Sequence, residues 1–308
     1  RQLLAGYQNL FEYAIPQTVY ALDKRTYTHT SPLSNWGPKG DFNLGSMHYW
    51  GVWHNREPFE NYADNVGRFM SEYGFQSFPS RELLQRYIPE DSLFLASESM
   101  KHRQKSYIGN AQITERILDY FPEPTSFEEF LEMSQLTQAI AYEKAIEAHR
   151  KNRPHCMGTL YWQLNDCWPG PSWSTIDYGG ELKSAHYKVR EMYQNVLPII
   201  EIEKEGITTY ISNDTNEDLL CAVTIQLIDA SNGEILKTHS NTTPIEAMST
   251  SFSNSIEKFL KGVSTNYYIH AEISVDGELV SKRNIIPNWP AFSRNNDITS
   301  IKRIYLSQ

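Results

Sequence analysis

Glu72 is the acidic residue whose sequence context best suits chemistry. It ends the segment 67–72, whose apolar residues predict a buried strand, and Gly74 and an aromatic loop follow it. A carboxylate at the end of a parallel strand faces the edge of the sheet where catalytic residues gather. Taken alone, a strand-end Glu is more commonly one half of a structural ion pair. Its role therefore depends on the residues around it.

Other kinds of catalytic site find little support in the spacing of the residues. No ligand-type partner stands three or four residues from any of the three candidate metal-binding histidines, His48, His155 and His186. The three cysteines form neither a Cys-x-x-Cys pair nor a zinc-ligand spacing, and they are interpreted as buried thiols. No Gly-x-Ser-x-Gly motif of a serine hydrolase is present. We therefore expect no metal, cofactor or disulfide.

The first two thirds of the chain alternate short apolar or aromatic segments with helical stretches. This alternation is typical of βα units around a parallel sheet. Four strands are predicted, at residues 27–30, 47–50, 67–72 and 157–162. Each ends in polar or aromatic residues suited to a catalytic face.

The clearest predicted helix lies between the third and fourth of these strands. Ser126 followed three residues later by Glu129 is a capping-box pattern. Apolar residues then recur at helical spacing as far as Ile146, and Pro154 marks the end of the pattern. We interpret the apolar stripe as packing surface and not as a binding site.

The apolar pattern changes after Pro198, where it begins to repeat every two residues. Val223, Ile225 and Leu227 alternate with polar neighbours, which is typical of strands in a β-sandwich. Turn signals divide about ninety residues into several such strands, as in an immunoglobulin-like domain. Three regions are predicted: an α/β region at 1–197, an immunoglobulin-like β-sandwich at 198–287, and a linker or the start of a further β module at 288–308.

Charge and hydropathy exclude two classes of partner. The 37 acidic and 28 basic residues give a formal net charge of −9, which argues against a phosphate-binding surface and hence against nucleic acid. No apolar run approaches the roughly 20 residues that span a bilayer. Residues 1–4 lack the apolar region of a signal peptide. We therefore expect neither nucleic acid nor a membrane as a partner.

Three motifs give a specific resemblance to a known family. Residues 71–80, Ser-Glu-Tyr-Gly-Phe-Gln-Ser-Phe-Pro-Ser, resemble the nucleophile segment of the β-mannosidases, a branch of glycoside hydrolase family 2. Residues 48–62 resemble the strand before that segment, and residues 161–173 resemble the family's last barrel strand with its loop. The motifs also follow one another in the family's order.

The resemblance implies a (β/α)8 TIM barrel followed by β-sandwich modules, and an exo-acting, retaining hydrolase of terminal β-D-mannosides. It makes Glu72 the nucleophile and Trp162 an aromatic platform beside the reacting sugar. Trp50 and His54 become residues that line the pocket, and Asp166 either holds its loop or contacts sugar. The substrate would be a β-mannoside oligosaccharide or glycoside, and no cofactor is required.

One catalytic group of the family is missing from the chain. Retaining hydrolysis uses two carboxyl groups about 5–5.5 Å apart, and the family's general acid/base is the Glu of an Asn-Glu pair ending the fourth barrel strand. The pair Asn216-Glu217 lies in the predicted sandwich and is interpreted as a turn. The α/β region then corresponds to barrel strands five to eight, with the acid/base outside the chain.

A half barrel exposes strand edges and apolar faces that proteins normally cover. The candidates for covering them are a missing N-terminal part of the same enzyme, a second copy of the chain in a homo-oligomer, or a repacked sandwich. Two functional alternatives also stay open: a β-galactosidase or β-glucuronidase of the same family, and a catalytically incomplete carbohydrate-binding fragment. The family occurs in the periplasm or secreted in bacteria and in lysosomes in animals, so the location is left open.

Overall fold

The computed structural model describes residues 1–35 and 41–306. The chain begins with a helical arm formed by α1 (Gln2–Tyr7), a π-helical stretch (Gln8–Ala14) and α2 (Ile15–Leu22). None of the arm's residues is buried, and Leu3 is 92% exposed. The arm therefore contributes nothing to the hydrophobic core.

A three-stranded parallel sheet follows the arm. Its strands, in spatial order, are β1 (Ser34–Asn35), β2 (Ser46–His48) and β3 (Phe69–Glu72). The short helices α3 (Gly51–His54) and α4 (Asn61–Asp64) lie between β2 and β3 along the chain.

Two of the four predicted strands coincide with β2 and β3, whereas the prediction of a strand at 27–30 was wrong. Those four residues are irregular, and pairing with β2 begins only at Leu33, whose N–H donates to the Ser46 carbonyl at 3.0 Å. Pro32, which has no N–H to donate, immediately precedes that pairing. Residues with high β-propensity form a strand only where a partner strand is available.

The fourth predicted strand, 157–162, runs beside β3 without becoming a regular strand. Met70 donates to the Gly158 carbonyl at 2.9 Å and accepts from Leu160 at 2.8 Å, which leaves one isolated parallel bridge between Met70 and Thr159. Within the described residues the parallel strands form an open arc, so no closed barrel is present.

Helices follow β3 and cover the sheet: α5 (Arg81–Gln85), α6 (Glu98–Arg103), α7 (Gly109–Tyr120), α8 (Phe127–Lys151) and α9 (Ser184–Met192), with a single 3-10 turn at Glu90–Ser92. The predicted capping of α8 is confirmed, because Ser126 Oγ accepts from the Glu129 N–H at 3.1 Å. The helix ends before Pro154 as expected, and its apolar stripe is buried. No helix in the described part of the chain is long and apolar enough to cross a membrane.

The second region is a β-sandwich of antiparallel strands. Its seven strands are β4 (Val196–Ile202), β5 (Ile207–Asn213), β6 (Leu219–Asp229), β7 (Ile235–Ile245), β8 (Ser249–Ile256), β9 (Tyr267–Val275) and β10 (Glu278–Ile285). One sheet has the order β10-β9-β6-β7 and the other β4-β5-β8. Val223, Ile225 and Leu227 of β6 are buried between the sheets, as their alternation predicts.

The chain after the sandwich is helical, so the prediction of a linker or a further β module at 288–308 was wrong for its described residues. It forms α10 (Trp289–Asn295) and α11 (Ile298–Tyr305), and residues 307 and 308 lie outside the described part. Each helix has a side-chain N-cap, Asn288 or Asp297. Trp289 and Tyr305 pack with ring centroids 4.6 Å apart, so burial of these aromatic rings stabilises the helical form.

A buried ionic cluster centred on Arg283 joins the sandwich to α8. Arg283 of β10 donates to Glu143 at 2.6 Å and to Glu147 at 2.7 Å, both on α8, and Tyr305 Oη donates to Glu143 at 2.6 Å. Burial opposes the charge of Arg283, but the attraction of Glu147 and Glu143 outweighs it and raises the pKa of the guanidinium. Removing one partner from such a cluster leaves an uncompensated buried charge.

Candidate active site

Glu72 lies at the carboxyl end of β3, where its carboxylate meets the side chains of His48, the last residue of β2, and Trp50, which precedes α3. Its Oε2 is 3.3 Å from Nε1 of Trp50, which donates a hydrogen bond, and 3.3 Å from Nδ1 of His48. The Glu72 side chain is 28% exposed. Two ring nitrogens therefore orient the carboxylate while part of it still reaches solvent.

His48 also contacts Glu72, although the sequence analysis did not select it as a candidate for the site around Glu72. Its Nε2 lies 3.2 Å from Ser31 Oγ, on the other side of the ring from Glu72. Burial lowers the pKa of His48 despite the opposing charge of Glu72, so the imidazole is neutral at neutral pH. A neutral ring with its proton on Nδ1 donates to Glu72 and accepts from Ser31. The available signal was its spacing two residues before Trp50.

Aromatic rings form a wall that runs outward from Trp50. The Trp50 ring lies 6.0 Å from that of Trp173, edge to face, and 5.8 Å from the His54 ring. His54 is stacked on Tyr107 at 5.7 Å and its Nδ1 is 3.0 Å from Tyr107 Oη. Burial lowers the pKa of His54. The structure thus brings the predicted Trp50 and His54 together and adds Trp173 and Tyr107, which were missed.

Trp162 lies at the same end of the sheet as Glu72. Its N–H donates to the carbonyl of Tyr73 at 2.8 Å, and its side chain is exposed. A side chain at Gly74 would collide with the Trp162 carbonyl oxygen, so the glycine is required for the close approach of the two segments. The exposed indole therefore lies at the carboxyl end of the parallel strands, where Glu72 also lies.

Asp166 is occupied by hydrogen bonds within its own loop. Its Oδ1 accepts from the N–H groups of Cys167 at 2.9 Å and Trp168 at 3.2 Å. Its Oδ2 accepts from the hydroxyl groups of Ser172 and Ser174. These contacts favour the interpretation that Asp166 holds the loop over contact with a sugar.

Two of the three histidines that were considered as metal ligands have other contacts. His48 faces Glu72, and His186 Nδ1 lies 3.1 Å from Thr175 Oγ1. Across residues 1–35 and 41–306, no group of three or more His, Cys, Asp or Glu side chains is placed to hold a metal ion.

The cysteines are free thiols in two different environments. Cys156 and Cys221 are buried, as expected. The prediction was wrong for Cys167, which is exposed because it lies in the surface loop after Trp162.

Sequence comparison finds β-mannosidases among the relatives of this chain. The β-mannosidase of Capra hircus is 29% identical over 264 residues, which are 79% of this chain and 30% of that protein. The β-mannosidase of Mus musculus is 32% identical over 55% of this chain and 22% of its own length. The profile of the family described as Mannosidase Ig/CBM-like domain matches residues 205–290. The chain therefore spans about 30% of the length of the Capra hircus relative.

Solved structures show the same similarity. The β-D-mannosidase from Dictyoglomus thermophilum superposes with a TM-score of 0.80 at 26% identity, over 92% of this chain and 35% of that one. The exo-chitosanase of Amycolatopsis orientalis superposes with a TM-score of 0.62 at 17% identity, over 74% of this chain and 29% of that one. The second likeness shows a shared fold.

The fold and these relatives place the chain among the homologues of glycoside hydrolases. Within that class it is homologous to the β-mannosidases of glycoside hydrolase family 2, and the resemblance carried by the three sequence motifs is confirmed.

Proposed function

We propose that this chain carries the nucleophile half of a retaining, exo-acting β-mannosidase. Glu72 attacks the anomeric carbon of a terminal β-D-mannose while the bond to the leaving oxygen breaks and that oxygen takes a proton from a general acid. Water then attacks the same carbon, gives its proton to the conjugate base, and releases mannose and the Glu72 carboxylate. The reaction uses no cofactor.

The observation that carries this proposal is the arrangement of Glu72, Trp50 and His48 within the nucleophile motif. Both ring nitrogens approach Oε2, which leaves attack on the sugar to Oε1. Because neutral donors hold the carboxylate, its negative charge is preserved for bond formation. A fixed orientation of the attacking atom lowers the entropic part of the barrier.

The sugar-binding roles follow from the surroundings of Glu72. Trp162 supplies an exposed ring at the same edge of the sheet, and Trp50 and His54 line the wall of the pocket. Asp166 shapes the loop that follows Trp162.

The proposed general acid/base lies outside this chain, in a preceding part of the same enzyme. Glu57, another carboxyl group near β2, accepts hydrogen bonds from Tyr49, Asn55 and Asn61 and so serves the turn after α3. The open parallel arc and the exposed helical arm provide surfaces that such a part would cover. In this proposal residues 1–197 complete a barrel and residues 198–287 form the sandwich beside it.

The test is hydrolysis of an aryl β-D-mannoside by the full-length gene product and by the 308-residue chain. We expect the full-length gene product to hydrolyse the mannoside and its Glu72→Gln variant to lose this activity. Glu82→Gln, which changes an exposed carboxylate on α5, should keep the activity. Proton NMR of the first product should show β-mannose, the sign of retention. An aryl β-D-galactoside cleaved faster than the mannoside would overturn the assigned sugar.

The same assay distinguishes the hydrolase from the alternative of a catalytically incomplete carbohydrate-binding fragment. Saturable mannose binding without turnover by the full-length gene product would support a carbohydrate-binding role and contradict the hydrolase proposal.

A further inference from the structure

We propose that Tyr107, stacked on His54, forms a binding subsite for the sugar on the leaving-group side of the scissile bond. This inference rests on the proposed function, because it takes Glu72 as the point of attack on the terminal mannose. It names the substrate class as mannosides whose leaving group is another sugar.

The geometry of the Tyr107 ring distinguishes it from an ordinary surface tyrosine. Single exposed apolar side chains are common on proteins and require no function. Tyr107, however, is 81% exposed and is held both by its ring, parallel to His54 within 3°, and by its hydroxyl group, 3.0 Å from His54 Nδ1. The ring is therefore held in place while most of its surface is open to solvent.

The loop that carries Tyr107 is anchored on both sides of the ring. Ser106 Oγ accepts from Trp53 Nε1 at 3.2 Å, and the Ser106 N–H donates to Gln104 Oε1 at 2.9 Å. Gln104 Nε2 in turn donates to Asn110 Oδ1 at 2.9 Å. A ligand that binds to a pre-ordered ring avoids the entropic cost of ordering it.

The position of Tyr107 relative to Glu72 indicates on which side of the scissile bond the Tyr107 subsite lies. Ring contacts lead from Trp50, which bonds Glu72, to His54 and then to Tyr107. The Glu72 side chain at one end of this series is 28% exposed, and Tyr107 at the other end is 81% exposed. An exo-acting site holds the terminal sugar at Glu72, so the next sugar extends outward along this wall.

The chemistry of the pair suits a sugar ring. A pyranose presents C–H groups on its faces and hydroxyl groups at its edge. The exposed tyrosine face accommodates the former, and the polar edges of Tyr107 and His54 lie close to the latter. A small alkyl leaving group would make none of these contacts.

The test is calorimetric titration of the full-length gene product, with Glu72→Gln to prevent turnover, using methyl β-D-mannoside and β-mannobiose as probes. We expect β-mannobiose to bind about tenfold more tightly, which is the order of one aromatic contact. Tyr107→Ala should abolish that difference and leave binding of the methyl mannoside unchanged. Tyr107→Phe, which keeps the ring, should retain most of it.

Phe252→Ala is the matched control, because Phe252 is an exposed ring in edge contact with Tyr210 on the sandwich. It should leave both affinities unchanged. Equal binding of the two probes by the parent, or equal weakening of both by Tyr107→Ala, would overturn the subsite and leave the proposed function intact. Failure of the parent to bind either probe would overturn the proposed function together with the subsite.

Discussion

Two carboxylates in this molecule have opposite surroundings. Glu143 is buried between α8 and β10, where Arg283 and Tyr305 bond its two oxygens. Glu72 is partly exposed at the edge of the parallel sheet, where the neutral rings of Trp50 and His48 approach one oxygen. A carboxylate matched by a buried cation stabilises an interface, whereas one oriented by neutral donors keeps its charge for a reaction.

The largest expected effect separates activity from stability at Glu72. Glu72→Gln should lower kcat of the full-length gene product by about 10⁴-fold or more, the order seen when a nucleophile is removed. Its urea unfolding midpoint should stay unchanged, since no buried cation loses a partner. A loss of stability comparable to the loss of activity would show that Glu72 is structural, like Glu143.

The converse change, Arg283→Met, should destabilise the fold. It leaves the buried Glu143 and the partly buried Glu147 without their nearest cation, so the free energy of unfolding measured with urea should fall by about 3–5 kcal/mol. Arg303→Met, at an exposed position of α11, is the control and should have little effect. Unchanged stability in Arg283→Met would contradict the structural role of the cluster.

A buried histidine, His149, extends the comparison to the pH dependence of stability. Burial lowers the pKa of His149 to about 3, against about 6.5 in an unfolded chain. As the pH falls from 6.5 towards 3, the unfolded chain binds a proton that the folded chain excludes. The contribution to stability is therefore complete above pH 6.5 and declines below it by up to about 1.4 kcal/mol per pH unit.

Unfolding of the parent chain and of His149→Gln should be compared between pH 7 and 4.5. The variant should lose less stability over this range, by about 2–3 kcal/mol. His29→Gln, at an exposed position, should follow the parent. Parallel curves for the parent and His149→Gln would refute the assigned burial effect.

The smallest expected effect concerns the orientation of Glu72. Trp50→Phe keeps an aromatic ring but removes the donor at 3.3 Å from the carboxylate. Hydrogen bonds to charged groups contribute about 1.5–3 kcal/mol, so kcat should fall about 10–100-fold.

Trp168→Phe is a suitable control for that change, since its indole N–H donates to the Arg103 carbonyl at 3.0 Å and not to Glu72. It should preserve kcat. An unchanged kcat in Trp50→Phe as well would show that the Trp50 hydrogen bond does not orient Glu72.

Local patterns predicted the elements whose signals lie close together in the chain. The cap and apolar stripe of α8 and the alternation in β6 depend on residues within a few positions of one another, and both were correct. The strand expected at 27–30 and the linker or β module expected at 288–308 were wrong for a common reason. In each case the conformation depended on what the segment could pack or pair against.

The sequence by itself determined the nucleophile candidate, its strand, helix α8 and the two-residue apolar repeat of the sandwich strands, because side-chain type and spacing encode those features directly. Only the tertiary structure decided that His48 faces Glu72, that Tyr107 stacks on His54, and that Arg283 of the sandwich pairs with Glu143 of α8. These contacts join residues between 24 and 140 positions apart. Pairings over such separations arise from packing of whole elements, which local spacing does not specify.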